Sequence, residues 1–158
     1  MNSSTSSNNI QLSKLILKET INAKVDVKTW EEAVQAVGDL LVSAGKIKPE
    51  YITAMKLVLK EMGPYAVIAP GIVLLHARPE DGVIEPSLGL ITLVNPVLFG
   101  HPENDPVDLV FALGVVDKQA HITALQQLAE MLGDSVKLQE IRSAPNNSAL
   151  LNILTGGV

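Results

Sequence analysis

Between residues 65 and 116 the chain contains four short apolar runs, which are separated by segments that contain proline or glycine. The runs cover Tyr65–Ala69, Ile72–Ala77, Leu88–Leu93 and Val107–Val116. Short apolar runs bounded by Pro and Gly are typical of buried strands. Because these runs hardly alternate between apolar and polar residues, we expect both faces of the sheet to be covered by helices. The pattern therefore predicts a sheet that lies between two helical layers.

Two amphipathic helices are predicted before these runs. Thr29 can cap a helix that ends at Gly45, and Glu32 is placed to bond the cap's own N–H, as in a capping box. A second helix begins at Pro49, because proline suits the first helical turn, and stops at Gly63-Pro64. Both segments carry apolar residues at helical spacing, so each has one face to bury.

Further helices are predicted after the last strand. Asp117 can cap a helix over residues 119–132, whose inward positions are expected to be Ile122, Leu125, Leu128, Ala129 and Leu132. Ser148–Leu154 is a last amphipathic segment. The predicted fold class is α/β, a three-layer α/β/α sandwich with a central mixed β-sheet in a single domain. That domain is expected over residues 10–158, after a disordered Ser/Asn-rich leader at residues 1–9.

The composition limits what the protein can do. The chain has no cysteine, so disulfides, thiolate nucleophiles and cysteine-bound metals are excluded. Aromatic residues make up only 3% and the formal charge is −5, which disfavours binding of nucleic acid. No apolar run approaches the ~18 residues that span a bilayer, and the first residues do not resemble a signal peptide. We therefore expect a cytoplasmic protein that uses His, carboxylate or hydroxyl chemistry.

His76 is the first candidate for that chemistry. It ends the strand-like run that begins after Gly71, where the chain leaves the sheet. Ligands of open α/β sheets collect at such strand ends. Imidazole is largely neutral near pH 7 and forms a labile bond to phosphorus, so His76 suits a phosphoryl carrier. The alternative is a histidine with only a structural or surface role.

The other two histidines differ in their surroundings. His121 is predicted in the first turn of the helix capped by Asp117, where free N–H groups and the helix dipole favour an anion. His101 lies in the polar loop Gly100–Pro106, which is typical of a solvated turn. No helix carries metal-ligand spacing, and no phosphate-binding glycine loop or dinucleotide motif is present, so neither a metal site nor a cofactor is predicted.

These segments resemble the EIIA domains of the mannitol, fructose and ascorbate class of the bacterial phosphotransferase system. The similarity runs from about Thr29 to Gly133. Its most specific parts are Gly63-Pro-Tyr-Ala-Val-Ile-Ala-Pro-Gly71, Leu75-His-Ala-Arg78 and Phe99-Gly-His-Pro-Glu-Asn-Asp-Pro106, a combination closest to the ascorbate-type branch. The family commonly has Pro directly before its active histidine, where this chain has Leu75, and Arg at the position of Lys60.

The resemblance implies a role for each candidate residue. His76 would accept a phosphoryl group from the phosphocarrier HPr and pass it to a cysteine of an EIIB protein, with His121 hydrogen-bonded to the group. Lys60 and Arg78 would bind the phosphoryl group, although Lys60 could equally be a solvated helix residue. The membrane component EIIC would be contacted only indirectly. The sequence specifies neither the sugar nor the oligomeric state, for which a homodimer is an alternative to a monomer.

Two other functions are alternatives to this one. An EIIA-like regulatory module would retain His76 but would signal its phosphorylation state by contact with another protein. A sugar hydrolase or metalloenzyme lacks a supporting carboxylate pair or ligand spacing. For a phosphocarrier that must meet two proteins in turn, we expect His76 in a shallow, open depression. We expect residues 72–75 to be mostly core, with one or two of them at an apolar rim.

Overall fold

A computed structural model describes residues 11–156. The predicted leader at residues 1–9 lies outside the described residues. The described helices are α1 (Leu12–Leu15), α2 (Trp30–Ser43), α3 (Pro49–Met62), α4 (Lys118–Leu132), α5 (Ser135–Ser143) and α6 (Asn147–Thr155). The strands are β1 (Ile21–Val25), β2 (Val67–Ala69), β3 (Ile72–Leu75), β4 (Ser87–Val97) and β5 (Val107–Gly114).

The five strands form one mixed sheet in the order β1-β4-β5-β3-β2. Strand β3 runs parallel to β5, and β1 runs parallel to β4, whereas β4 and β5 are antiparallel. Residues of β3 alternate between the two faces: Val73 and Leu75 join the core under α2 and α3, while Ile72 and Leu74 join the core under α4, α5 and α6. The three-layer α/β/α prediction is therefore confirmed, and burial on both faces explains why the strands read as continuous apolar runs.

The helix ends agree with the predicted signals except at one bond. The Thr29 side chain accepts a hydrogen bond from Glu32 N at 3.2 Å, as a helix cap should. Glu32 does not bond the N–H of the cap, however, because its carboxylate accepts from Lys28 N at 2.8 Å, one residue earlier. Pro49 starts α3 and Gly63, at φ 80°, ends it. The predicted boundaries of these two helices are confirmed.

Helix α4 buries a stripe that overlaps the predicted one only in part. Its buried residues are Ala120, Ala124 and Leu128, whereas Ile122 and Ala129 are exposed. Small residues at the first two positions let the first turns of α4 pack closely on the sheet. The inward assignment of Ile122 and Ala129 was thus wrong. Leu128 was assigned correctly, and Leu125 and Leu132 are partly buried against the same core, as predicted.

Some elements were not predicted. Strand β1 and the helices α1 and α5 had no counterpart in the sequence analysis, and β4 extends four residues beyond the predicted end at Leu93. Within residues 11–156, no helix combines the length and the apolar character that crossing a membrane would need.

Candidate functional site

Two histidines meet where parallel strands end. His76 directly follows β3, and α4, which carries His121, begins shortly after β5. Because β3 and β5 are parallel and in register from Ile72 to Leu75, both strands deliver their following residues to the same edge of the sheet. The two imidazole centroids lie 5.1 Å apart, with an angle of 50° between the ring planes. The structure therefore brings together the two histidines that the sequence placed on separate elements.

The start of α4 fixes His121. The Asp117 side chain accepts a hydrogen bond from Ala120 N at 2.7 Å and caps the helix. The backbone N–H of His121 donates to Asp117 O at 3.1 Å, so the residue belongs to the first turn. The positive end of the helix dipole lies at this turn and favours negative charge beside the imidazole.

His76 is half-buried, and its two ring nitrogens differ. Nδ1 is buried and has no hydrogen-bond partner among residues 11–156. The pKa of His76 is lowered from its ordinary value of 6.5. Burial is the largest cause and the neighbouring His121 is the second, while an interaction with the backbone of Leu74 raises the pKa. A lowered pKa keeps the imidazole neutral and nucleophilic at pH 7. With Nδ1 buried, Nε2 is the candidate ring atom for chemistry.

Two adjoining depressions share the histidine pair. The first has a volume of about 380 Å³ and is almost entirely apolar, with Leu74 and Leu75 at its base. Three residues at its mouth are well exposed: Met62 at 62%, Tyr65 at 81% and Ile68 at 46%. One shallow, open depression was expected around His76, whereas the structure has two adjoining depressions there. All four residues 72–75 are buried, so the rim is formed by residues of α3 and of the segment after it instead.

The second depression has a volume of about 530 Å³ and is charged. Its cations are Arg78 and Lys118, and its carboxylates are Glu61, Asp81 and Asp117. Arg78 is exposed and pairs with Asp81 at 3.4 Å and with Glu80 at 3.9 Å. Lys118 has no ion pair within the described part of the chain. The depression therefore offers one engaged and one unengaged cation beside the two imidazoles.

Two predicted candidates lie apart from this pair. Lys60 is exposed on α3 and lines neither depression, although Glu61 and Met62 beside it do. His101 lies in the loop before β5, at the opposite edge of the sheet from the residues that follow β3 and β5. Its Nδ1 accepts hydrogen bonds from Glu103 N and Asn104 N, at 3.1 and 2.9 Å. This geometry agrees with the interpretation of His101 as a turn residue.

One charged residue, Lys118, and the apolar rim were not predicted from the sequence. Lys118 is the first residue of α4, where a cation is unfavourable because the helix dipole is positive. A lysine directly after a capping aspartate is a signal that could have found it. Met62, Tyr65 and Ile68 had no such signal, since scattered apolar residues on a surface are ordinary.

Comparison with known proteins identifies the family. The model of the family described as "Phosphoenolpyruvate-dependent sugar phosphotransferase system, EIIA 2" matches residues 14–156. The chain belongs to this family. The EIIA domain is therefore a phosphocarrier of the sugar phosphotransferase system and a phosphotransferase, which confirms what the resemblance implied.

Related proteins and structures agree with this assignment. The EIIA domain is 35% identical to the ascorbate-specific PTS system EIIA component of Salmonella typhi over 85% of this chain and 88% of that protein. Its fold matches the mannitol-specific cryptic phosphotransferase enzyme IIA CmtB from Escherichia coli with a TM-score of 0.83 and 30% identity, covering 94% of this chain and 100% of that one. It also matches the complex of enzyme IIAMTL and phosphorylated enzyme IIBMTL from Escherichia coli, with a TM-score of 0.77 and 25% identity, covering 89% of this chain and 97% of that one.

Proposed function

We propose that His76 Nε2 is the atom of this EIIA domain that carries the phosphoryl group. One observation supports this above the others: a half-buried imidazole with a lowered pKa and a buried Nδ1 lies 5.1 Å from a second imidazole. Because Nδ1 is enclosed by protein, only Nε2 has room for a tetrahedral phosphorus. The neutral tautomer that makes Nε2 nucleophilic carries its proton on Nδ1.

The transfer consists of two displacements at phosphorus. In the first, the Nε2 lone pair of His76 bonds to the phosphorus of phospho-HPr, and the P–N bond of the donor histidine breaks with its electron pair on the donor nitrogen. In the second, a thiolate of an EIIB cysteine bonds to the phosphorus, and the P–Nε2 bond breaks to return neutral His76. The phosphoryl charge is spread over three equatorial oxygens, which need positioned donors during both steps.

Four groups around the pair can supply that stabilisation. His121 is near enough to donate a hydrogen bond to a phosphoryl oxygen on His76. The first turn of α4 adds its dipole. Lys118 and Arg78 line the same depression and carry positive charge. Lys60, which was predicted for this role, stays a prediction that no contact in the structure supports.

The partners are expected to be proteins that dock on the apolar rim formed by Met62, Tyr65 and Ile68. A rim that surrounds the nucleophile allows an incoming histidine or cysteine to reach it while the two protein surfaces pack together. Similarity to an ascorbate-specific EIIA component favours an EIIB of the ascorbate system as the acceptor. HPr is the donor that the sequence resemblance implies. Such encounters are brief, so a small interface and an affinity in the micromolar range or weaker are expected.

We propose that the domain works in the cytoplasm and that it contacts EIIC only through EIIB. The regulatory alternative would use the same histidine pair, and no described feature favours it. The two functions differ in whether the phosphorylated domain labels an EIIB protein.

A labelling experiment tests the proposal. The protein is incubated with phosphoenolpyruvate, enzyme I and HPr, and its mass is measured before and after addition of an ascorbate-type EIIB. We expect one acid-labile, base-stable phosphoryl group on the wild type, transfer to EIIB, and no labelling of a folded His76→Ala variant. Labelling of His76→Ala at unchanged stoichiometry would show that another residue is the acceptor, and stable label that never reaches EIIB would favour regulation.

A further inference from the structure

The hydroxyl of Tyr51 joins the two strand ends that carry the histidine pair. Tyr51 belongs to α3, and its side chain is almost fully buried beneath the site. Its Oη accepts a hydrogen bond from Ala77 N at 2.9 Å. It is also within 2.8 Å of Leu113 O and 3.1 Å of Ala77 O, to which it can donate. Ala77 directly follows His76, and Leu113 is the penultimate residue of β5.

One hydroxyl can make only a limited number of these hydrogen bonds at once. A phenol has one proton and two lone pairs. At any moment it can therefore accept a hydrogen bond from Ala77 N and donate one to a single carbonyl. Burial raises the pKa of Tyr51 to about 12, so the hydroxyl remains a donor throughout the physiological range. Without the hydroxyl, the buried carbonyl of Leu113 and the N–H of Ala77 would lose this partner.

The position of the contact matters for catalysis as well as for packing. Strand β3 ends at Leu75, so the backbone around His76 and Ala77 is no longer held by ladder hydrogen bonds to β5. The Tyr51 hydroxyl holds the segment that leaves β3 close to the end of β5, one residue beyond His76. A displacement of about 1 Å between reacting groups can cost a factor of about 10² in rate. The spacing of the two imidazoles therefore depends on a bond made outside the sheet.

We propose that Tyr51 is a positioning residue for phosphoryl transfer, which holds His76 at its distance from His121 by linking the exit of β3 to the end of β5. The inference rests on the proposed role of His76. Tyr51 touches neither the phosphoryl group nor a partner protein. Its effect is transmitted through the backbone of Ala77.

Thr20 provides a matched control. Its hydroxyl is also buried and makes the same set of contacts: it accepts from Leu17 N at 3.1 Å and can donate to Leu17 O at 3.1 Å or to Leu88 O at 3.0 Å. Thr20 precedes β1, which is separated from β3 by two strands, and it lines neither depression. Tyr51→Phe and Thr20→Val each remove one such hydroxyl while keeping most of the side chain.

The experiment compares wild type, Tyr51→Phe, Thr20→Val and His76→Ala. The rate of transfer from the phosphorylated domain to EIIB is measured at saturating EIIB and at a temperature where all four are folded. We expect Tyr51→Phe to lower this rate about tenfold or more with little change in KM for EIIB, and Thr20→Val to leave it within about twofold of wild type. The ¹⁵N shifts of the His76 ring should move in Tyr51→Phe and stay unchanged in Thr20→Val.

The possible results separate failure of the positioning role from failure of the proposed function. Equal rates for Tyr51→Phe and Thr20→Val, with unmoved His76 ring shifts, would overturn the positioning role while leaving the proposed function intact. Labelling of His76→Ala would overturn both proposals. If Tyr51→Phe does not fold, amide exchange of Ala77 in the wild-type protein takes its place. Slow exchange that matches the amides of β5 supports the link, and exchange at the rate of an open loop refutes it.

Discussion

Replacing His121 with alanine should leave His76 able to accept the phosphoryl group but slow the onward transfer. In the proposed mechanism His121 does not carry the group and contributes only a donor beside it. If the centroid separation of 5.1 Å is taken as the distance between charges, two unit charges attract by about 3 kcal/mol at an effective dielectric constant of about 20. An attraction of that size, if it is made only in the transition state, corresponds to a factor of about 10² in rate. Loss of a single preorganised neutral donor gives a similar factor, about 10² to 10³.

The assay follows the decay of phosphorylated domain after rapid mixing with EIIB, with the variants labelled beforehand to the same extent. His121→Gln retains a neutral hydrogen-bond donor and should fall between wild type and His121→Ala. His101→Ala removes a histidine from the opposite edge of the sheet and should transfer at the wild-type rate. A His121→Ala rate within about twofold of wild type would remove His121 from the mechanism.

Two further predictions concern charge at the site. Because the pKa of folded His76 lies below its ordinary value of 6.5, the unfolded chain binds a proton first as the pH falls, so stability should be lost from about pH 6.5 downward. Urea unfolding of wild type and His76→Gln across this range checks the sign, since a smaller acid loss in wild type than in the variant would contradict it. Lys118→Gln should slow phosphorylation by HPr about three- to tenfold at low salt, and less at high salt, because exposed charges act mainly on encounter rates. Lys60→Gln, assayed alongside, should have the smaller effect, and the reverse order would favour Lys60 as the phosphate-facing lysine.

The sequence predicted those parts of the site that depend on local signals. His76 ends an apolar run and His121 follows a capping aspartate, so each could be placed at the end of an element. Their proximity required the parallel pairing of β3 and β5, which no local pattern reveals. The role of Tyr51 was missed for the same reason, since Ala77 and Leu113 lie 26 and 62 residues away along the chain.

Elements with mixed surroundings were the hardest to predict. Strand β1 contains Asn22 and Lys24, because it is an edge strand and only part of it is buried. Helix α5 buries only Ile141, so it lacks an apolar stripe. In α4 the alanines at 120 and 124 occupy buried positions, whereas the larger Ile122, which was predicted inward, is exposed. Tertiary packing decided these cases.

The enclosure of Nδ1 has a kinetic consequence. With Nε2 of His76 as the single carrier atom, as proposed, donor and acceptor compete for one position and cannot form a ternary complex with His76 between them. The first product must leave before the second substrate arrives, which is a double-displacement scheme with parallel lines in reciprocal plots of initial rate. Two in-line displacements, each with inversion at phosphorus, give net retention of configuration. A chiral phosphoryl group passed from HPr to EIIB through this domain would therefore keep its handedness.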